Sequence, residues 1–176
     1  MRVTVSGLPG SGTTSLARYL AAEHKLELIS AGEVFRQMAK EREMDLVEFG
    51  RLASEDSSID RLIDERQKEI AGQKNDIIVE GRLSGWFIGD AELKIWLTAS
   101  LECRVRRILA RDVIENLDIA KKMTRQREEC EAERYQTYYN IDIGDLSPYH
   151  MVLNSERWGV EELGAIVDTA IRMIRI

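Results

Sequence analysis

The sequence predicts an α/β fold: a three-layer sandwich with a five-stranded parallel sheet between two layers of helix. Three observations predict it. Short apolar or β-branched runs alternate with amphipathic helical stretches along the chain, the order that builds parallel sheets. The apolar residues of DIIVEG at 76–81 are continuous rather than alternating, as in a strand covered on both faces. The first strand-like run also ends in a glycine-rich turn that opens a helix.

RVTVS at 2–6 is the first strand, and residues 13–24 follow as a helix with Leu16, Ala17 and Leu20 on one face. LELIS at 26–30 is the second strand. Ser30 and Glu33 have capping-box spacing, so GEVFRQMAKE continues as helix. A short helix is expected at 46–54. Ser57 and Asp60 repeat the box before IDRLIDERQKEIAG, whose apolar side is Ile59, Leu62, Ile63 and Ile70 and whose stop is Gly72. DIIVEG is the third strand and LKIWLTA at 93–99 the fourth. LECRVRRILARD is a helix, and so is the charged stretch 113–139. YHMVLN at 149–154 is the last strand. The closing helix turns Val160, Leu163, Ile166, Val167, Ala170, Ile171 and Ile174 inward.

The chain has 176 residues, enough for one domain with a core. A net charge of −6 argues against a nucleic-acid backbone as partner, because such partners select basic surfaces. No apolar run is long enough to span a membrane, and MRVTVSG enters a strand directly, so no membrane span or signal peptide is expected. Cys103, Cys130, His24 and His150 show no zinc-site spacing. Two free, partly buried thiols suit the cytoplasm.

The chemistry is concentrated in SGLPGSGTTSLARYL at 6–20. Gly7, Gly10 and Gly12 allow a tight turn whose peptide N–H groups point at phosphate oxygens. Leu8, Pro9 and Ser11 complete the loop, and the helix starting near Thr13 adds its positive end. Thr14 stands where the phosphate-loop pattern places a magnesium ligand. Thr13 stands where that pattern has lysine. Its hydroxyl can hydrogen-bond a β or γ oxygen, but it carries no charge, so other cations must neutralise a transferred phosphoryl group.

Arginines supply the candidates. Arg104, Arg107 and Arg111 recur at helical spacing beside an apolar side of Leu101, Val105, Ile108 and Leu109. Arg127 and Arg134 lie seven apart with Glu131 between them, and Arg127 also has the spacing to pair with Glu131. A charged helical insertion there suits a lid that excludes water. Arg36, after strand two, and Arg82, just past strand three, are placed to clamp a second phosphate. Ser30 is either a cap or a substrate contact. Phe35 and Trp86 either stack on a base or pack in the core. Glu80 either orients magnesium-bound water or accepts hydrogen bonds from the loop.

In their combined order, SGLPGSGTTSLARYLA, LELISAGEVFRQMAKE, IIVEGRLSGW, RVRRILARD and ERYQTYYNIDIGDLSPYHMVLNSERW resemble the archaeal-type cytidylate kinases, within the nucleoside monophosphate kinase group of phosphate-loop proteins. The resemblance runs nearly end to end. It implies ATP-dependent transfer of the γ-phosphoryl group onto CMP, and onto dCMP, with Mg2+ accompanying ATP. Gly7 to Thr14 match the donor-phosphate loop. Ser30, Gly32 and Arg36 match the acceptor-side segment, and Arg82 the arginine that holds the acceptor phosphate. Arg127 and Arg134 match the lid arginines. The implied organisation is a single kinase domain (1–176): a core of 1–35, 76–112 and 140–176, an acceptor-binding helical insertion at 36–75 and a lid at 113–139. A monomer is expected.

Two positions depart from the family pattern. One is Thr13. The other is Leu83, where bacterial cytidylate kinases carry an aspartate directly after the arginine. Another small-molecule phosphate-loop kinase, such as an adenylate or shikimate kinase, shares the loop, clamp and lid. A regulatory GTPase is a further reading, but no N/T-K-x-D guanine-reading motif is present. An RNA-binding protein would use the arginine-rich helix, against which stand the interleaved glutamates.

Overall fold

β-Branched side chains pack well on a sheet covered from both sides, and the computed structural model, which describes residues 1–44, 46–56, 58–112 and 116–174, places them in such a sheet. Its strands are β1 (Arg2–Gly7), β2 (Glu27–Ser30), β3 (Ile77–Glu80), β4 (Leu93–Thr98) and β5 (Met151–Asn154). Among the described residues they form one five-stranded sheet in the order β2-β3-β1-β4-β5, every pairing parallel. The helices are α1 (Thr13–His24), α2 (Ala31–Glu41), α3 (Leu46–Glu55), α4 (Ser58–Gly72), α5 (Ser84–Phe87), α6 (Leu101–Asp112), α7 (Leu117–Tyr139) and α8 (Val160–Ile174).

Period-two alternation sorts the strand residues between the faces. Val3, Val5 and Ile78 pack with Leu16 and Leu20 of α1 and with Leu163, Val167 and Ile171 of α8. On the other face Ile29, Ile77 and Val79 meet Ala71 of α4 and Ile88 and Ala91, which follow α5. Helices thus cover both faces, the expected three layers. A separate small core joins α2, α3 and α4 through Val34, Met38, Phe49, Ile59 and Ile63, with Phe49 fully buried. A fourth cluster of Leu83, Tyr135 and Ile141 docks the C-terminal part of α7 on the loop after β3.

The structure corrects several local expectations. Strand β5 begins at Met151, two residues after the expected start, because the preceding stretch turns, with the Tyr149 N–H donating to the Leu146 carbonyl. The short helix α5 was not expected at all, since only four residues form it. Leu62 is exposed on α4, and Val160, Ile166 and Ile174 are exposed on α8. The inward apolar side of α8 comes down to Leu163, Val167 and Ile171, with Ala170 partly buried against the same core. Cys103 is half-buried, but Cys130 is exposed, not partly buried. Residues 113–115 of the expected lid helix and Ser57 of the second capping box lie outside the described residues.

Candidate active site

Parallel sheets place ligand crevices beyond the carboxyl ends of their strands. Here β1 ends at Gly7, β2 at Ser30 and β3 at Glu80, and a cleft of about 870 Å³ lies beyond them. Its walls come from the glycine loop, α2, α4, the loop after β3, α6 and α7.

The loop is built as a phosphate cradle requires. Gly10 and Gly12 take left-handed backbone, φ +81° and +94°. A Cβ on Gly10 would come within 2.5 Å of the Arg104 carbonyl oxygen, so only glycine fits this approach. Gly12 is the N-cap of α1 and carries no side-chain cap, which leaves the first peptide N–H groups of the helix to the cleft. Pro9, Gly10, Ser11, Gly12, Thr13 and Thr14 all line the cleft. Gly7 and Leu8 do not. Gly7 instead offers its carbonyl to Arg82 Nη1 at 3.2 Å.

Thr13 is buried, and its Oγ1 donates to Glu80 Oε1 at 2.7 Å. The one hydroxyl hydrogen is directed to the strand end. Thr14 Oγ1 donates to the same carboxylate oxygen at 3.3 Å. Glu80 thus accepts hydrogen bonds from the loop, one of its two expected roles.

Arg107 supplies charge at this loop. Its guanidinium donates to the Gly10 carbonyl at 3.3 Å, to Ser155 Oγ at 2.9 Å and to the Ser155 carbonyl at 2.7 Å. Ser155 is buried and in turn donates to the Ser11 carbonyl at 2.7 Å. A lone serine after a strand gave no signal of this role. Arg111 also lines the cleft. Arg104, expected beside them, is instead buried: it pairs with Glu128 and donates to the Pro9 carbonyl, holding the loop from behind.

Ser30, Gly32, Phe35, Arg36 and Arg82 also line the cleft. Ser30 is the cap of α2, its Oγ accepting the Glu33 N–H at 3.1 Å, and it also lines the cleft. Phe35 lines the cleft while its ring tilts against Phe49 at 4.8 Å. The loop bearing Arg82 is fixed from below, where Ser6 and Ser84 exchange a hydrogen bond at 2.8 Å. Trp86 does not reach the cleft; it packs against the cluster of Leu83, Tyr135 and Ile141 because α5 turns it back toward α7.

Glu131 joins two segments. It accepts from Arg82 Nε at 2.9 Å and from Arg127 Nε at 2.8 Å. Burial by itself would raise the Glu131 carboxyl, but the Arg82 and Arg127 charges outweigh it and hold the group below the usual glutamate range. Burial opposes the Arg82 charge, and Glu131, Tyr135 and Glu80 overcome that opposition. The i,i+4 spacing to Arg127 was the one sequence signal for Glu131; its tie to Arg82 spans 49 residues and had none. Arg134, on the same helix, is not among the cleft-lining residues.

Residues 2–157 match the Cytidylate kinase-like family. The chain is 62% identical over 175 residues to a cytidylate kinase of Methanospirillum hungatei, covering 99% of this chain and 98% of that one. A cytidylate kinase of Archaeoglobus fulgidus is 44% identical over 176 residues, covering 100% of this chain and 97% of the relative. Among solved structures, the shikimate kinase of Bacteroides thetaiotaomicron superposes with a TM-score of 0.65 at 14% identity, over 98% of both chains, a likeness of fold. With full-length identity this high and a family match over most of its residues, the chain belongs to the cytidylate kinase-like family.

Proposed function

We propose that this chain is a cytidylate kinase, moving the γ-phosphoryl group of ATP onto CMP to give CDP and ADP, with dCMP as a further acceptor. The observation that carries the reading is the cleft itself, which the phosphate loop lines together with Arg36, Arg82 and Arg127 from three separate segments. The relatives favour CMP over the acceptors of other phosphate-loop kinases.

Peptide N–H groups of residues 10–14 hold the β-phosphate of ATP, and Arg107 adds charge beside the loop. Arg36 and Arg82 fix the CMP phosphate with its oxygen in line with the γ-phosphorus. Arg127, and Arg134 after α7 moves inward, neutralise the equatorial oxygens. The acceptor phosphate is already anionic, so positioning and charge do the work without a strong general base. Residues 36–75 act as the acceptor-binding insertion and 113–139 as the lid. Stacking of Trp86 on the base would require α5 to turn over.

The residues fit a magnesium ion. The Thr14 hydroxyl and the Glu80 carboxylate, 3.3 Å apart, are hard oxygen donors at the helix start. No group of three or more His, Cys, Asp or Glu placed to hold a metal occurs among the described residues, consistent with an ion that keeps its waters and rides on substrate phosphates. The Thr14 hydroxyl would hold it, and it would supply positive charge to offset the substrate phosphates.

The enzyme acts as a cytoplasmic monomer that closes around both substrates. Among the described residues no helix is long and apolar enough to cross a membrane. A coupled assay for ADP across CMP, dCMP, UMP, AMP and shikimate tests the reading. CMP is expected to turn over fastest, and faster turnover of AMP would overturn it.

A further inference from the structure

A carboxylate in a cleft built for phosphates repels its ligands unless fixed cations neutralise it. Glu131 is such a carboxylate: it lines the cleft and is buried. Its place is set by packing before it is set by charge. Tyr135 follows it by about one helical turn and packs with Leu83 and Ile141, and Leu83 is the residue after Arg82. That apolar cluster docks α7 on the loop bearing Arg82 and brings Glu131 beside the guanidinium.

Each oxygen of the carboxylate takes one arginine, Oε2 accepting from Arg82 Nε and Oε1 from Arg127 Nε. Both contacts are made at Nε, on the side of the guanidinium. Arg82 is held at a second point, where Nη1 donates to the Gly7 carbonyl at 3.2 Å. Two points fix the position and the plane of a rigid guanidinium. Among the described residues no hydrogen bond runs from Arg82 Nη2 or from either terminal nitrogen of Arg127, so these donors remain for an anion. The group as a whole stays cationic, with one negative charge between two positive ones. A carboxylate that takes the place of a ligand sits across the terminal nitrogens instead. Glu41 does so on Arg66, where Nη1 and Nη2 donate to its two oxygens at 2.8 and 2.7 Å. The Glu131 contacts are of the other kind.

We infer that Glu131 is a positioning residue for phosphoryl transfer: it holds the Arg82 guanidinium from the side, leaving Nη2 to the acceptor phosphate, and brings the Arg127 of α7 to the same point. Without it Arg82 keeps only the Gly7 carbonyl and can swing about that single contact. A clamp displaced by about 1 Å loses much of the rate that alignment provides. Arg127 is the more exposed partner, so its share is the smaller. The inference rests on the kinase reading proposed above.

The test is steady-state kinetics of the full chain with ATP and CMP or dCMP, for the native enzyme, Glu131→Gln, Arg82→Ala and the double variant. Urea unfolding gives the folded fraction, and rates are expressed per folded molecule. The glutamine keeps one acceptor oxygen, so it can hold one arginine but not both. Glu131→Gln should lower kcat/KM for CMP by about tenfold or more, with the KM for ATP and the CMP-to-dCMP ratio as in the native enzyme. In the Arg82→Ala background the same substitution should cost about threefold or less, the Arg127 share, because the guanidinium it orients is gone. Tighter CMP binding in Glu131→Gln would overturn the inference and make Glu131 a competitor of the phosphate. Equal losses toward ATP and CMP would make its role structural. A full further loss in the Arg82→Ala background, or a shift of CMP against dCMP, would make it a direct substrate contact. The two readings fail separately. A native enzyme that does not phosphorylate CMP overturns the one beneath; a native enzyme that does, with kcat/KM unmoved by Glu131→Gln, overturns only this one.

Discussion

The Thr13 hydroxyl donates to the Glu80 carboxylate at 2.7 Å, joining the start of α1 to the end of β3. The position that carries lysine in the usual phosphate-loop pattern is used here as a strut between two elements, and cationic charge at the loop comes from Arg107 instead. Thr13→Val removes one donor from a buried carboxylate and should cost about 1–2 kcal/mol of stability. Urea unfolding reads the loss. A midpoint equal to that of the native protein would mean the bond contributes nothing.

Thr13→Lys is expected to fold and to bind ATP. Its ammonium falls beside Glu80 and competes for the carboxylate that also takes Thr14, so kcat should drop with little change in the KM for ATP. A higher kcat would show that the loop lacks charge after all.

Glu131→Gln keeps a hydrogen-bond acceptor but removes the charge that holds Arg82. Arg127 is largely exposed, so its half of the pairing contributes little. The buried Arg82 half should account for a loss of about 2 kcal/mol at neutral pH. The folded carboxyl titrates below the usual glutamate value of 4.5. The unfolded chain therefore takes up the proton first as acid is added. The contribution is complete above pH 4.5 and disappears as pH falls through the lowered value. The gap in unfolding free energy between native protein and Glu131→Gln should narrow as pH falls below 4.5. A gap that stays constant would argue against a charge effect.

Arg82→Ala and Arg134→Ala separate a clamp already in place from one that must arrive. Each should raise the transition-state barrier by about 3 kcal/mol, roughly a hundredfold in kcat. Arg82→Ala should also weaken CMP binding, whereas Arg134→Ala should leave binding of both substrates near native, because Arg134 does not line the cleft in this conformation. An unchanged kcat for Arg134→Ala removes it from the catalytic set.

Gly10→Ala forces a Cβ against the Arg104 carbonyl and a side chain into left-handed backbone. The loop must shift, at a cost of about 1–3 kcal/mol, and the KM for ATP should rise. Native ATP affinity in this variant would show that the cradle tolerates displacement.

The sheet was legible because its signals are local. β3 reads as a covered strand from three consecutive β-branched residues, and α1 starts where the glycines stop. The loop was legible for the same reason. Arg104 was misjudged because helical spacing tells which residues share a face, not which of them meets the buried underside of a loop 95 residues earlier. Ser155 escaped notice because it acts through partners far away in the chain. Trp86 was placed at the cleft from its position after Arg82, but the single turn of α5 between them reverses its direction.

The middle strand of the sheet, β1, lies opposite Ile77 of β3 and Leu93 of β4. During synthesis its backbone donors and acceptors therefore stay unpaired while the intervening helices emerge from the ribosome. A nascent chain stalled before β3 exposes an apolar edge with no neighbour, the state most open to aggregation and to chaperone capture. Arrest at increasing lengths should show protease resistance appearing abruptly once β4 has cleared the exit tunnel, rather than accumulating strand by strand.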